Sequence, residues 1–258
     1  MRIDGGLGSQ MLCWMFYITR KEHNQKTRVD VSYFYSERKN KSNHSQPPTR
    51  PWELHNYGID LSSVKAISVK YRPVFNSYEK ISKENRPFFE TLINRNWRET
   101  FPIVESARTL LAGDIGLIDQ DFCVVHLRRG DYLQFSSKIV DLSTVLNLCE
   151  SIKLLLPPTI IFVSDDPFTT HEQQVVQSQL NQHTIHFLDN IDQHICHGIM
   201  RMAKILVASN STFSWTASLM SEKAESLTFS PTTFSLPAHN VSNEIFRASS
   251  EWMIRNSR

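Results

Sequence analysis

Two arginines standing directly behind an apolar run are the residues best equipped for chemistry. The stretch "CVVHLRRGDYLQF", residues 123–135, sets Arg128 and Arg129 where a buried strand should end. A guanidinium is a planar fork of donors whose charge does not titrate away, and a pair of them matches the oxygens of a phosphate or diphosphate. The competing reading pairs one arginine with Asp131 and leaves the other solvated. The segment also spells Arg-Gly-Asp, a triplet short enough to recur by chance, so an adhesion ligand is the weakest of the three readings.

Three other stretches carry suitable groups. "SNSTFSW", Ser209–Trp215, follows an apolar run and opens a helical pattern. Unpaired backbone N–H groups and the positive end of a helix dipole attract an anion at such a start. Asn210, Ser211, Thr212 and Phe213 would surround that anion, with the Ser211 and Thr212 hydroxyls as further donors. Plain N-capping by Asn210 or Ser211 uses the same residues, and both readings can hold together. "SDD", Ser164–Asp166, ends another apolar run with two carboxylates. "GGLGSQ" near the start places glycines at 5, 6 and 8, where a backbone without Cβ atoms can approach a ligand closely. It lacks the GxGxxG spacing and the Walker lysine, so a tight turn is equally open.

A divalent metal is not expected. "DQD", Asp119–Asp121, has the Asp-x-Asp form that many sugar-nucleotide transferases use for one, but it precedes a strand, on the wrong edge for a ligand site. The two neighbouring carboxylates of "SDD" alternate in direction, and two arginines suffice to neutralise a diphosphate. The ten histidines include no HxxxH or HExxH pair, and no GxSxG elbow is present.

The elements that must position these groups follow from hydrophobic periodicity. "FCVVHL", "TIIFVSDD", "TIHFLD", "KILVAS" and "SLTFS" read as short buried strands, the last being the final strand expected. Between them "LSTVLNLCESIKLLL", "TTHEQQVVQSQL", "HICHGIMRMA" and "TFSWTASLMSE" read as helices. That alternation calls for a parallel sheet wound by right-handed crossovers, with ligands beyond the carboxyl ends of its strands. The glycine-rich turn feeds a helix over about residues 9–23, and "TRVDVSYF" alternates as a strand does. Residues 36–51 are polar and proline-punctuated, which predicts a mobile loop. Residues 52–100 are irregular by pattern, and "TFPIVESARTLLAG" predicts a helix ending near Gly113. A boundary near residue 114 is expected between two α/β lobes.

Composition bounds the function from outside. Of 258 residues, 40% are hydrophobic and 21% charged, and 28 basic against 26 acidic residues leave a formal charge of +2. Such balance speaks against a nucleic-acid coat or a polybasic membrane sensor. Cys13, Cys123, Cys149 and Cys196 are widely spaced and read as buried thiols rather than a disulfide or zinc framework. No apolar run reaches the ~18 residues of a membrane span, and "MRIDGGLGSQ" has no secretory core, so a cytoplasmic location is expected. A peripheral membrane association during surface-glycan assembly is compatible with this.

Taken in order, "GGLGSQM", "HLRRGDY", "FVSDDP" and "MRMAKILVASNSTFSW" resemble the inverting alpha-1,2-fucosyltransferases of glycosyltransferase family 11, which use GDP-fucose. The likeness is good over residues 115–222 and loose over 60–112. It implies an α/β, GT-B-like fold of two Rossmann-type lobes with parallel sheets and a central cleft. Residues 1–114 would form the acceptor-side lobe and 115–258 the GDP-sugar-binding lobe. It further implies fucose transfer from GDP-beta-L-fucose to a galactoside hydroxyl, with no cofactor, no metal and no nucleic acid. By motif, His126 and Arg128 would be catalytic and contact the diphosphate, with Arg129 beside them. Asp165 would face the nucleoside, and Asn210, Ser211, Thr212 and Phe213 would bind phosphate at the helix start. Gly6, Gly8 and Gln10 would face the cleft. Transfer with another regiochemistry, protein O-fucosylation and non-catalytic GDP-sugar binding are the alternatives. The chain departs from the family where Ser9 replaces an asparagine, where Thr216 replaces a second tryptophan, and where Cys196 replaces an aspartate that reads guanine.

Overall fold

The computed structural model describes residues 3, 5–23, 29–31, 34, 50–64, 86–117, 119–130, 139–232, 245–247 and 252–256. These form two compact units that divide after Phe101.

In the first unit, α1 (Leu7–Glu22) begins two residues earlier than its periodicity predicts, with Gly6 as an extended N-cap. Gly5 turns the chain into it at φ +81°, a conformation that costs a residue with a Cβ. Leu7, Met11, Leu12 and Met15 recur at helical spacing and are all buried. A second helix, α2 (Arg86–Asn94), lies in the span that read as irregular, and its Phe88 ring packs 5.4 Å from Phe16 of α1. Two short 3₁₀ turns, Leu54–Tyr57 and Leu61–Ser63, precede it. Trp97 is buried, with its indole N–H donating to the Leu92 carbonyl at 2.7 Å. Val29, Asp30 and Val31 are buried, and the Ile3 N–H donates to the Asp30 carbonyl at 2.9 Å. Among the described residues of this unit that isolated bridge is the only strand pairing, so the parallel sheet expected here is not among them. The remainder of "TRVDVSYF" apart from Phe34, and the expected loop apart from Arg50 and Pro51, lie outside the described residues.

The second unit is built on one sheet of seven strands in the order β3-β2-β1-β4-β5-β7-β6. β1 (Phe122–Leu127) pairs in parallel with β2 (Thr159–Ser164) on one side and β4 (Ile205–Val207) on the other. β3 (Thr184–Asp189) and β5 (Leu227–Pro231) extend the parallel run outward. β1 and β2 are buried along their whole length, as strands covered on both faces must be. "SLTFS" is not the last strand. β7 (Trp252–Asn256) adds to β5 in antiparallel fashion, and β6 (Ile245–Arg247) pairs antiparallel with β7.

Helices cover both faces. On one face Cys123, Val125 and Leu127 pack with Val145, Leu146 and Cys149 of α4 (Leu142–Ser151) and Val176 of α5 (Thr170–Gln179). On the other, Phe122 and Val124 pack with Ile199 and Met200 of α6 (Gln193–Met202) and Ala217 of α7 (Thr212–Leu219). Strand alternation puts His126 on this second face. α3 (Glu105–Ala112) belongs here too, although a boundary at 114 assigns it to the first unit. The reason is contact: a Cβ on Gly198 of α6 would stand 2.8 Å from the Ala107 methyl of α3 and 3.2 Å from Ile103. A bare backbone at 198 lets the two helices touch. All four cysteines are buried thiols. Among the described residues, no helix is long and apolar enough to cross a membrane.

Candidate functional site

The chain runs from β1 out to β2 and β3, then returns to place β4 on the opposite side of β1. Connections leaving β1 and β4 therefore diverge at their carboxyl ends and leave a crevice, the usual ligand position in such sheets. Two of the stretches singled out by residue type arrive here. "HLRRG" leaves β1, and "SNSTF" leaves β4 and starts α7.

His126 is 4% exposed, and its Nδ1 lies 2.8 Å from the Ser209 hydroxyl at the end of β4. Its ring stacks at a tilt, 5.6 Å from Phe213 in the first turn of α7. Burial, and then the neighbouring Arg128 guanidinium, push its pKa down to about 3, so the imidazole is neutral. Ser211 caps α7 by accepting from the Phe213 N–H at 3.2 Å, and the Ser214 hydroxyl donates to the Ser209 and Ser211 carbonyls. Asn210 and Ser211 are buried, while Thr212 and Phe213 are half-buried. The N-capping reading therefore holds on this turn, with Ser211 as the cap.

The two arginines have different fates. Arg129 grips Glu172 of α5 with both terminal nitrogens, at 2.7 and 3.2 Å, and lies over the Phe168 ring. Burial pushes the Glu172 carboxyl up, but hydrogen bonds from the Thr169 backbone, Arg129 and the Thr169 hydroxyl outweigh it and hold Glu172 below its ordinary range. The Arg129 fork is therefore occupied by protein. Arg128 pairs with Asp165 at 2.7 Å, with a fifth of its side-chain surface accessible.

The "SDD" carboxylates brace this turn. One oxygen of Asp165 takes the Arg128 guanidinium and the other accepts from the Arg129 N–H at 2.7 Å. Asp166 accepts from the Gly130 N–H at 3.0 Å. Gly130 has φ +29°, and a Cβ there would stand 2.7 Å from the Asp165 carboxylate, so the turn closes only over a glycine. Asp165, expected at the nucleoside, pairs with Arg128 and holds that guanidinium. Asp131, the proposed internal partner of an arginine, lies outside the described residues.

Gln10 is likewise committed. It is fully buried, and its amide donates to the Gly5 and Pro51 carbonyls at 2.9 and 2.8 Å and accepts from the Glu53 N–H at 2.9 Å. Gly8 is buried inside α1 and Gly6 caps it. The glycine loop is a clasp on its own unit.

Cys196 is 8% exposed, and burial, then Asp165 and Asp192, push its thiol pKa up to about 12. The polar residues around it are committed to the protein. Asp192 caps α6 by accepting from His194 and Ile195, Asp189 accepts from the Phe168 N–H, and buried His197 bonds Thr216 at 3.2 Å. Asp119–Asp121 precede β1 at the amino edge, where Asp121 pairs with Lys223.

Two residues that sequence reasoning did not nominate complete the site. Glu172 was visible only as the acid of a Thr169-x-x-Glu172 capping box, a signal that reports a helix start and not a partner for Arg129. Ser209 opens "SNSTFSW", but its bond to His126 spans 83 residues and leaves no local trace.

No family model matches the chain, and no curated protein matches it in sequence. Among solved structures, POFUT1 in complex with GDP is similar over 85% of this chain and 92% of that chain, at 12% identity and TM-score 0.45. POFUT1 in complex with GDP-fucose is similar over 85% of this chain and 93% of that chain, again at 12% identity and TM-score 0.45. A third pairing, with another POFUT1–GDP crystal form, spans 46% of this chain and only 42% of that one, at 16% identity and TM-score 0.36. At such scores no residue and no activity carries over from them.

Proposed function

We propose that this protein is an inverting glycosyltransferase with a GT-B-like fold. It moves L-fucose from GDP-beta-L-fucose to a galactoside hydroxyl in a surface glycan, forming an alpha-1,2 linkage. The observation that carries the reading is the meeting of Arg128, His126 and the start of α7 at the switch point between β1 and β4. A cation, a neutral imidazole and a row of helix-start N–H groups around one crevice suit a diphosphate that gains charge as its bond to the sugar breaks.

The reaction in this reading is one in-line displacement at the anomeric carbon of fucose. The acceptor hydroxyl oxygen forms the new bond and releases its proton to solvent, the glycosidic C–O bond to the β-phosphate breaks, and GDP leaves with the electron pair. Arg128, held by Asp165, meets charge on the departing diphosphate where it develops, the kind of fixed electrostatic effect that often dominates catalysis. Arg129 supports the turn from behind rather than reaching the ligand. The first unit is the acceptor-side lobe, and no divalent ion takes part. The decisive experiment measures GDP release from GDP-fucose with lactose, other galactosides and water, with and without EDTA. Acceptor-dependent release that persists in EDTA is expected. NMR of the product separates the alpha-1,2 linkage from other regiochemistry and from transfer to protein.

A second reading is favoured by one observation. Cys196 presents a neutral, buried thiol where a carboxylate would read guanine, which suits a GDP-sugar binder without turnover. Calorimetric GDP binding with no release from GDP-fucose would select it.

A further inference from the structure

The Ser209 hydroxyl and the two ring nitrogens of His126 have a proton count that the fold resolves. A neutral imidazole carries one proton for two nitrogens, and the ring bonded to Ser209 is neutral because burial and Arg128 disfavour its cation. The 2.8 Å contact between Ser209 Oγ and His126 Nδ1 admits two directions. If Nδ1 were the donor, the serine proton would need a second acceptor. Ser209 is 3% exposed, and among the described residues its hydroxyl has no other partner. A buried hydroxyl proton left without an acceptor costs about 1–3 kcal/mol. The hydroxyl therefore donates to Nδ1, and the ring proton resides on Nε2, which makes no hydrogen bond among the described residues.

The neighbouring histidine shows the opposite polarity. Thr216 already donates its hydroxyl proton to the Phe213 carbonyl at 3.0 Å, so at 3.2 Å it is free to accept from Nε2 of His197. The two rings flank Phe213 at 5.6 and 5.3 Å. On one side of that phenyl the imidazole N–H is closed onto protein, and on the other it is left open at the switch point.

We propose that Ser209 is a positioning residue that locks His126 in the Nε2–H tautomer, so that the ring serves as a neutral hydrogen-bond donor to a phosphoryl oxygen held in the β1–β4 crevice beside Arg128. The donor role rests on the nucleotide-sugar reading above, whereas the tautomer lock does not. A neutral donor suits this place, since a second buried cation next to Arg128 is costly. Its N–H bond strengthens as negative charge builds on the oxygen it meets.

Long-range ¹H–¹⁵N NMR of histidine-labelled protein without nucleotide reads the tautomer directly, with the His126 signals assigned by their loss in His126→Gln. The wild type should show a pyridine-like Nδ1 and a protonated Nε2. Ser209→Ala should convert this to a mixed population, and Ser209→Thr, which keeps the hydroxyl, should restore it. GDP affinity by calorimetry should fall about tenfold in Ser209→Ala and recover in Ser209→Thr, the size expected for one misdirected hydrogen bond to a charged group. A protonated Nδ1 in the wild type overturns the proposal, as does a Ser209→Ala spectrum unchanged from wild type. Should Ser209→Ala fail to fold, the wild-type spectrum still decides. If the lock is present but GDP does not bind the wild type, the nucleotide-sugar reading fails and the lock stands.

Discussion

The β1–β4 crevice and the N-terminal glycine loop present similar chemistry and opposite accounting. Both offer a turn with small residues, a helix start and polar side chains. At the loop, the Gln10 amide bonds Gly5, Pro51 and Glu53 of the same unit. At the crevice, His126 keeps one nitrogen open and Arg128 keeps part of its surface accessible. Residue type nominates a ligand site, but the hydrogen-bond ledger separates a site from a clasp, because a buried polar group must be matched by something.

The sharpest way to break this contrast is Arg128→Ala. It should lower fucosyl transfer roughly 10²- to 10³-fold, the usual cost of removing one preorganised donor to developing charge. Steady-state GDP release checks it, and near-normal turnover would dissolve the catalytic half of the comparison. Gln10→Ala tests the other half through stability. It leaves the buried Glu53 N–H and the part-buried Gly5 and Pro51 carbonyls without the side chain, so unfolding free energy should drop by roughly 1–3 kcal/mol. Denaturant titration measures it, and a loss under about 0.5 kcal/mol would show that water satisfies those groups as well as the side chain does.

Arg129→Ala sharpens the comparison inside the crevice itself. Because the Arg129 fork is held by Glu172, its loss should reduce turnover by no more than about tenfold, well short of the Arg128 effect. Equal losses would mean that both guanidiniums meet the ligand. The smallest effect is a pH slope. Folded His126 binds a proton only near pH 3 whereas the unfolded residue does so near 6.5, and buried His197 is shifted in the same direction. The unfolded chain therefore takes up more protons between those values, so stability is full above about 6.5 and declines as pH falls through that window. Thermal midpoints followed across pH 7 to 4 should show the decline, and His126→Gln should flatten it. An unchanged slope in that variant would remove His126 from the account.

Legibility tracked how local the causing physics was. The near-continuous apolar runs of β1 and β2 announce themselves because both faces of those strands are covered. β6 and β7 did not, since both are short and their antiparallel partners are set by the fold, β7 lying between β5 and the edge strand β6. α2 was hidden because residues 65–85 before it carry no clear period. The boundary shift from 114 to Phe101 depends on Gly198 meeting Ala107, two residues 91 positions apart.

What the sequence determined by itself was the alternation of buried strands and helices in the second unit, and the positions at which polar stretches leave those strands. Periodicity and chain direction dictate both, and neither needs a distant partner. Only the tertiary structure decided which arginine Glu172 would take, that Asp165 would orient Arg128, that Gln10 would face inward, and that Ser209 would meet His126. Each of those is a pairing between residues far apart in sequence, and a pairing exists only once the backbone has brought both ends within the roughly 3 Å reach of a hydrogen bond.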